Sequence, residues 1–283
     1  MRILLPLALL VACGGTHATT PVGSGSQPTR TPATPPPAAT EGTPAAEPTA
    51  VETAPAGAVT VQGATGPIVI TPVYHATMML QAGGRTVWFD PWSKGALDGK
   101  PKADVIVLTD IHFDHTDPEA IAKVAQDGTL FVGPEAVGEK LEGRSLDTVV
   151  GNGETVEVAG MELTAVPMYN LVRGPEEGGV FHEKGRGNGY IVKVDGKRIY
   201  IAGDTECTDE MKALTDIDLA FVPMNLPYTM PPEEAAACVK AFAPTRVVPF
   251  HYAGSDRAVF AKALEGSGVK VELAEFYPGG EPW

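Results

Sequence analysis

From Ile68 onward the chain runs in short apolar stretches broken by turn residues, whereas the residues ahead of it show no hydrophobic periodicity. The stretches Ile68 to Thr71, Met78 to Gln81, Thr86 to Asp90 and Val105 to Thr109 are separated by turn signals such as Gly83-Gly84, which predicts strands. A helix over Pro118 to Ala125 follows, with Asp117 as its cap, then a strand over Leu130 to Val132 and a helix over Pro134 to Leu141. The second half repeats the alternation, with strands over Glu154 to Val158, Glu162 to Val166, Gly189 to Val194, Arg198 to Ile201 and Ala220 to Val222. Its helices fit Asp209 to Leu214, Glu233 to Ala243 and Arg257 to Leu264, and its late strands fit Arg246 to Pro249 and Val269 to Leu273. Two β-rich halves, each completed by helices, predict an α/β fold of the four-layer αββα kind, two sheets face to face with helices outside.

The start of the chain reads differently. Leu4 to Ala12 is apolar but far shorter than the roughly 20 residues a membrane-spanning helix needs, and only Arg2 precedes it, so residues 1–12 read as a signal peptide. Leu10-Val11-Ala12-Cys13 resembles the bacterial lipobox, and that resemblance implies that Cys13 is the lipidated first residue of a mature lipoprotein; the alternative is an incidental cysteine in a cleaved signal. Residues 13–60 are a mixture of Thr, Pro, Ala, Gly and Ser that cannot bury apolar surface, and Pro35-Pro36-Pro37 keeps such a tether extended. The folded domain is therefore expected over residues 61–283, in the cell envelope, facing the periplasm or exterior, with its membrane contact made through the anchor alone.

A net charge of −14 without any cluster of Lys and Arg argues against a nucleic-acid partner and against direct docking on anionic lipid. With Cys13 set aside, Cys207 and Cys238 remain, and in an oxidising compartment they could pair or stay buried as small hydrophobes. No Gly-x-Ser-x-Gly elbow, P-loop or dinucleotide fingerprint is present to compete with metal chemistry, and the partner expected is a small-molecule substrate.

That chemistry concentrates in Thr109-Asp110-Ile111-His112-Phe113-Asp114-His115, which places four metal-capable side chains in six residues directly after an apolar strand. A loop leaving a strand can turn Asp110 and His112 to one metal and Asp114 and His115 to a second. The segment resembles the metallo-β-lactamase superfamily signature, Thr-His-x-His-x-Asp-His, through Thr109, His112, Asp114 and His115, with Asp110 where the family has its first histidine. The likeness extends from about Val69 to Tyr277 and is closest to the branch of ascorbate 6-phosphate lactonase-like hydrolases. Supporting pieces stand in the family's order: Tyr74-His75-Ala76, Phe89-Asp90-Pro91-Trp92, Gly203-Asp204-Thr205 and Pro249-Phe250-His251.

The resemblance implies a metallo-β-lactamase fold and two divalent metal ions, zinc first, with manganese or iron as alternatives. It implies Asp204 as the carboxylate bridging both metals, and His251 completing the second site beside Asp114 and His115. At the position of the first site's third ligand the family pattern offers Asn170, and nearby His182, on a glycine-rich loop, is favoured as the substitute over a role in substrate contact. Asp114 and His75 are the candidates for contact with the reacting groups, the alternative for His75 being a hydrogen-bonded core histidine, a reading almost as good. Asp90 is implied to orient a metal-binding histidine, the alternative being a cap on the turn into Pro91. Met224 to Met230 would suit a pocket wall, with Asn225 and Tyr228 as its polar members.

Two ions held close together acidify a bound water and polarise the bond to be broken, so the nucleophile is hydroxide rather than a side chain. With Asp110 as a ligand, Asp110, Asp114 and Asp204 leave the site one positive charge short of a histidine version, which implies a less acidified water and a preference shifted toward manganese or iron. The leading expectation is a hydrolase of a lactone, phosphodiester or related small ester. An iron-dependent oxidoreductase of the same fold and a non-catalytic metal- or ligand-binding surface lipoprotein are the alternatives.

Overall fold

A computed structural model of the chain describes residues 57–281. The signal segment, Cys13 and nearly all of the tether lie outside the described residues, as do Pro282 and Trp283. The first strand, β1 (Val59–Gln62), begins two residues ahead of the boundary expected at 61, because Val59 and Val61 alternate inward and the strand pairs antiparallel with β2 (Pro67–Tyr74).

The first sheet runs in chain order: β1, β2, β3 (Thr77–Ala82), β4 (Arg85–Phe89), β5 (Val105–Val107), β6 (Leu130–Gly133) and β7 (Thr148–Val149). It is antiparallel as far as β4 and parallel beyond it. The second sheet repeats the scheme with β8 (Thr155–Val158), β9 (Met161–Met168), β10 (Gly187–Val194) and β11 (Lys197–Ile201) antiparallel. Its parallel part follows with β12 (Leu219–Pro223), β13 (Arg246–Phe250) and β14 (Lys270–Val271). The two-residue β7 was not expected from the sequence; it is too short to show alternation.

The strands from β2 to β6 divide their apolar side chains between two cores, as the period of two requires. Met78, Leu80, Val87, Phe89, Val105 and Val107 join residues of the second sheet in the central core, while Met79, Trp88 and Ile106 pack outward against α1 (Pro118–Val124) and α2 (Glu135–Gly138). On the far side α4 (Pro232–Phe242) and α5 (Arg257–Ala263) cover the second sheet with Val239, Phe242 and Phe260. With both faces covered, the strands read as apolar runs rather than as polar and apolar alternation. The four layers match the αββα expectation. The helices expected over 134–141 and 209–214 shorten to four residues each, α2 and α3 (Asp209–Lys212), since neither has the length to propagate.

The metal-capable loops all leave the carboxyl ends of strands. His75 follows β2, Asp90 follows β4, the Thr109–His115 loop follows β5, Asp204 follows β11 and His251 follows β13. Cys207 and Cys238 form a disulfide that ties the segment beyond Asp204 to α4.

Candidate metal centre

The site lies where the loops of both sheets meet, and its backbone is held in unusual conformations. His75 (φ +57°), Asp90 (φ +43°) and His251 (φ +46°) occupy the left-handed region, which non-glycine residues enter at a cost and which clusters at functional sites. Gly203, at φ +65°, precedes Asp204 where an added Cβ would meet Met168 Sδ at 2.5 Å, so only glycine delivers that aspartate.

Two groups of donors converge. In the first, Asp110 Oδ2 is 2.6 Å from His112 Nδ1 and 3.9 Å from His182 Nε2, and Asp204 Oδ2 is 3.3 Å from His182 Nε2. In the second, Asp204 Oδ1 is 3.2 Å from His251 Nε2, and Asp204 Oδ2 is 3.3 Å from His115 Nε2. Asp114 Oδ2 lies 3.6 Å from His251 Nε2 and 3.8 Å from His115 Nε2. Asp204 thus stands between the groups with one oxygen toward each of His182 and His251.

These residues fit metal ions on independent grounds. His115 Nε2, His251 Nε2 and Asp204 Oδ1 are buried and have no hydrogen-bond partner among the described residues, an arrangement that is costly unless a cation completes it. The donor set gathers three carboxylates, Asp110, Asp114 and Asp204, among histidines. Burial opposes ionisation of Asp204, yet the surrounding histidines hold its carboxyl well below the usual range; burial likewise disfavours a charged His115, but Asp204, Asp90 and Asp114 raise it well above the usual imidazole value.

Behind the donors sit groups that fix their orientation. Asp90, fully buried, accepts from Thr109 N at 2.8 Å and Thr109 Oγ1 at 2.6 Å, and lies 2.8 Å from His115 Nδ1, which leaves Nε2 facing Asp204. Asn170 does the corresponding work for His182: its Oδ1 is 2.7 Å from His182 Nδ1 and accepts His182 N at 2.8 Å. Asn170 therefore stands behind the first group, while His182 belongs to it.

His75 is placed differently from a substrate contact. It is fully buried and does not line the cavity; its ring lies 3.6 Å from that of His251, with Nε2 3.2 Å from Asp114 Oδ2. The Tyr277 hydroxyl accepts Ala253 N at 3.2 Å, so its hydrogen is available to His75 Nδ1 at 2.5 Å, and the imidazole then offers Nε2–H to Asp114. Burial, with His251 beside it, lowers the His75 pKa to about 4 and keeps the ring neutral.

Three features escaped the sequence. Arg186 reaches Asp110 through Nε at 3.3 Å to Oδ1 and a terminal nitrogen at 3.4 Å to Oδ2, so the positive charge missing from a site with aspartate at 110 is returned by its neighbour. Gly187 beside it leaves room for this pairing, because a Cβ there would stand 3.2 Å from Asp110 Oδ1 and 2.1 Å from Met168 Cε. Glu206, also buried, accepts from Asn170 Nδ2 (3.1 Å), Val172 N (3.3 Å) and Arg173 N (2.8 Å), clamping the loop that carries Asn170 and His182. Its position two residues after Asp204 was the one available signal.

The donors open into a cavity of about 140 Å³ lined by His112, Phe113, Asp114, Phe181, His182, Asp204, Tyr228 and His251. Tyr228 is there as expected, but Asn225 is not. It is fully buried, and its amide, turned to donate to Ala253 O at 2.8 Å, secures the loop after β12 instead of facing a ligand.

Residues 69–251 match the family of beta-lactamase superfamily domains. A UPF0173 metal-dependent hydrolase from Bacillus velezensis is 33% identical over 220 residues, covering 71% of this chain and 95% of the relative. One from Methanopyrus kandleri is 29% identical over 229 residues, covering 74% and 97%. The crystal structure of a candidate metal-dependent hydrolase from Parabacteroides distasonis superposes with a TM-score of 0.72 at 38% identity, covering 77% of this chain and 98% of that one. With the signature loop, the two-sheet fold and the shared Asp204 in place, the chain belongs to the metallo-β-lactamase superfamily, in the company of its metal-dependent hydrolases.

Proposed function

We propose that the chain hydrolyses a lactone, phosphodiester or related small ester at a centre of two divalent ions, zinc first. The observation that carries the reading is Asp204 between two donor groups, with buried His115 Nε2 and His251 Nε2 lacking a hydrogen-bond partner among the described residues. Asp110, His112 and His182 would hold one ion, Asp114, His115 and His251 the other, and Asp204 both. When bound, the ions supply a water of lowered pKa and Lewis-acid contact to the bond being broken. For an ester, water's hydroxyl adds to the acyl carbon, the acyl C–O bond breaks, and the proton passes to the departing alkoxide. Asp114, oriented by His75 and lining the cavity, is the carboxylate placed to carry that proton.

The sequence adds a setting to this reading: a lipid-anchored envelope protein held by Cys13 on an extended tether, for which the Cys207–Cys238 disulfide is chemically apt, since disulfides persist in oxidising compartments. Elemental analysis of the soluble domain, with hydrolysis of a lactone and phosphodiester panel, tests the function. Near two equivalents of metal, with turnover that chelation abolishes, is expected; one equivalent or none, with no turnover, rejects it. A second reading, an iron-dependent oxidoreductase, is favoured by the carboxylate Asp110 in the first group. Two equivalents of iron with oxygen consumption and no ester turnover would select it.

A further inference from the structure

The rim of the cavity is apolar, with Phe113, Phe181 and Tyr228 on it. Phe113, two-thirds exposed at 66%, leans its ring against Trp92 at 5.7 Å, and Phe181 meets Tyr228 edge-on at 5.0 Å. Leu171 and Val172 are exposed on the loop that carries Phe181, and Leu226 on the loop that carries Tyr228. The two loops are joined, because Asn170 Nδ2 donates to Tyr228 O at 2.8 Å. Val172 at 79% exposure is not on a slack segment: its own N–H and that of Arg173 are held by buried Glu206, and Arg173 is pinned at 2.6 Å to Glu234. Phe113, Phe181 and Tyr228, large aromatic side chains left partly in water and grouped at the mouth of a reactive site, present a binding surface.

Charge points the same way. None of the lining residues is Lys or Arg, and the nearby cations are committed: Lys184 to Glu210 at 2.6 Å, Arg186 to Asp110 and Arg173 to Glu206 and Glu234. The rim therefore offers no cationic fork for a phosphate, and a chain of net charge −14 repels anions at a distance. At about 140 Å³ the cavity is small beside the roughly 300–1,000 Å³ of sites that enclose a whole ligand, so only the reacting end enters it.

Resting on the hydrolase reading, we propose that the substrate is an uncharged ester or lactone with an alkyl or aryl substituent, its carbonyl end among the metal donors and its apolar end on Phe113, Phe181 and Tyr228. The test uses the metal-loaded protein and two series with alkyl chains from methyl to hexyl. One is 5-alkyl γ-lactones, followed by hydrolysis; the other is 2-alkylcyclopentanones, which lack a scissile bond, followed by calorimetry. Bis(p-nitrophenyl) phosphate serves as the anionic diester. Lactone kcat/KM and ketone affinity are expected to rise about two- to threefold per methylene, below the roughly fourfold of full burial. In Phe113→Ser and Tyr228→Ser, whose side chains are exposed and line the cavity, the increment should fall toward one with metal content unchanged. A flat chain-length response in both series, or increments that the two variants leave intact, would overturn the proposal, as would bis(p-nitrophenyl) phosphate turned over faster than the hexyl lactone. Graded ketone binding without any hydrolysis would retain the apolar surface and reject the hydrolase reading, whereas hydrolysis with flat ketone binding would do the reverse.

Discussion

The first sheet runs antiparallel from β1 to β4 and then parallel to β7, and the second repeats that order from β8 to β14, yet the two halves carry their donors differently. The first places Asp110, His112, Asp114 and His115 on the one loop after β5. The second spreads His182, Asp204 and His251 over three loops, each following a different strand. A dense loop needs little from the rest of the fold, since neighbours in sequence are neighbours in space. A dispersed set needs a stiff frame, and the second half has one: Glu206 clamps the 170–182 loop, glycine alone fits ahead of Asp204, and a disulfide ties the next segment to α4. In the first half Asp90 and Thr109 hold His115, while Asp110 and Asp114 are met by Arg186 and His75.

The sharpest test of the division is Asp204, the residue both donor groups share. Asp204→Asn should cut bound metal from near two equivalents to below one and lower turnover by more than the roughly 10–100-fold typical of an outer partner; elemental analysis with steady-state kinetics reads both. Retention of two equivalents would mean the halves hold their ions independently. Removing the staple in Cys207→Ser/Cys238→Ser, which closes a separation of 31 residues, should cost about 3–4 kcal/mol by denaturant unfolding. If the dispersed half depends on its frame as argued, metal at the His182 group is lost before metal at the His115 group as denaturant rises.

The paired supports provide the next comparison. Asp90→Ala and Asn170→Ala should each weaken metal affinity about 10–100-fold, the former at the His115 group and the latter at the His182 group, read by competition titration with a chelator. Equal loss at both groups from either change would show one coupled site rather than two supported separately. The smallest effect concerns Asp117, which caps α1 in the first half. Burial opposes its ionisation, but N–H groups of Ser93, Ala120 and Glu119 outweigh this and depress its pKa. A depressed carboxyl contributes stability that is present above its unfolded pKa and lost as pH falls through the folded value. Asp117→Ala should therefore cost about 1 kcal/mol at neutral pH, in urea unfolding, and the difference should shrink as pH drops below about 4.

The same contrast governs what could be read from the chain. The strands over Met78, Thr86 and Val105, the α1 cap at Asp117 and the donor loop were legible because each is local: period, punctuation and adjacency lie within a few residues. His182 was legible only through likeness to a family, since nothing in its own neighbourhood distinguishes a ligand from a loop histidine. Arg186, Glu206 and Tyr277 were not legible as partners. Arg186 meets Asp110 across 76 positions, Glu206 meets Asn170 across 36 and Tyr277 meets His75 across 202. The pattern around Met224 to Met230 likewise could not separate Tyr228, which faces the cavity, from Asn225, which turns to Ala253.

By itself, then, the sequence determined the two β-rich halves, their order of elements and the chemistry of the loop after β5, because hydrophobic period and close-spaced donors act over short distances along the backbone. Only the tertiary structure decided that Asp204 stands between two donor groups, that Arg186 offsets the charge of Asp110, that His75 backs Asp114 instead of meeting a ligand, and that exposed apolar side chains gather at the mouth. Those outcomes depend on which distant loops are carried to the same strand ends, and that is set by the packing of one sheet on the other.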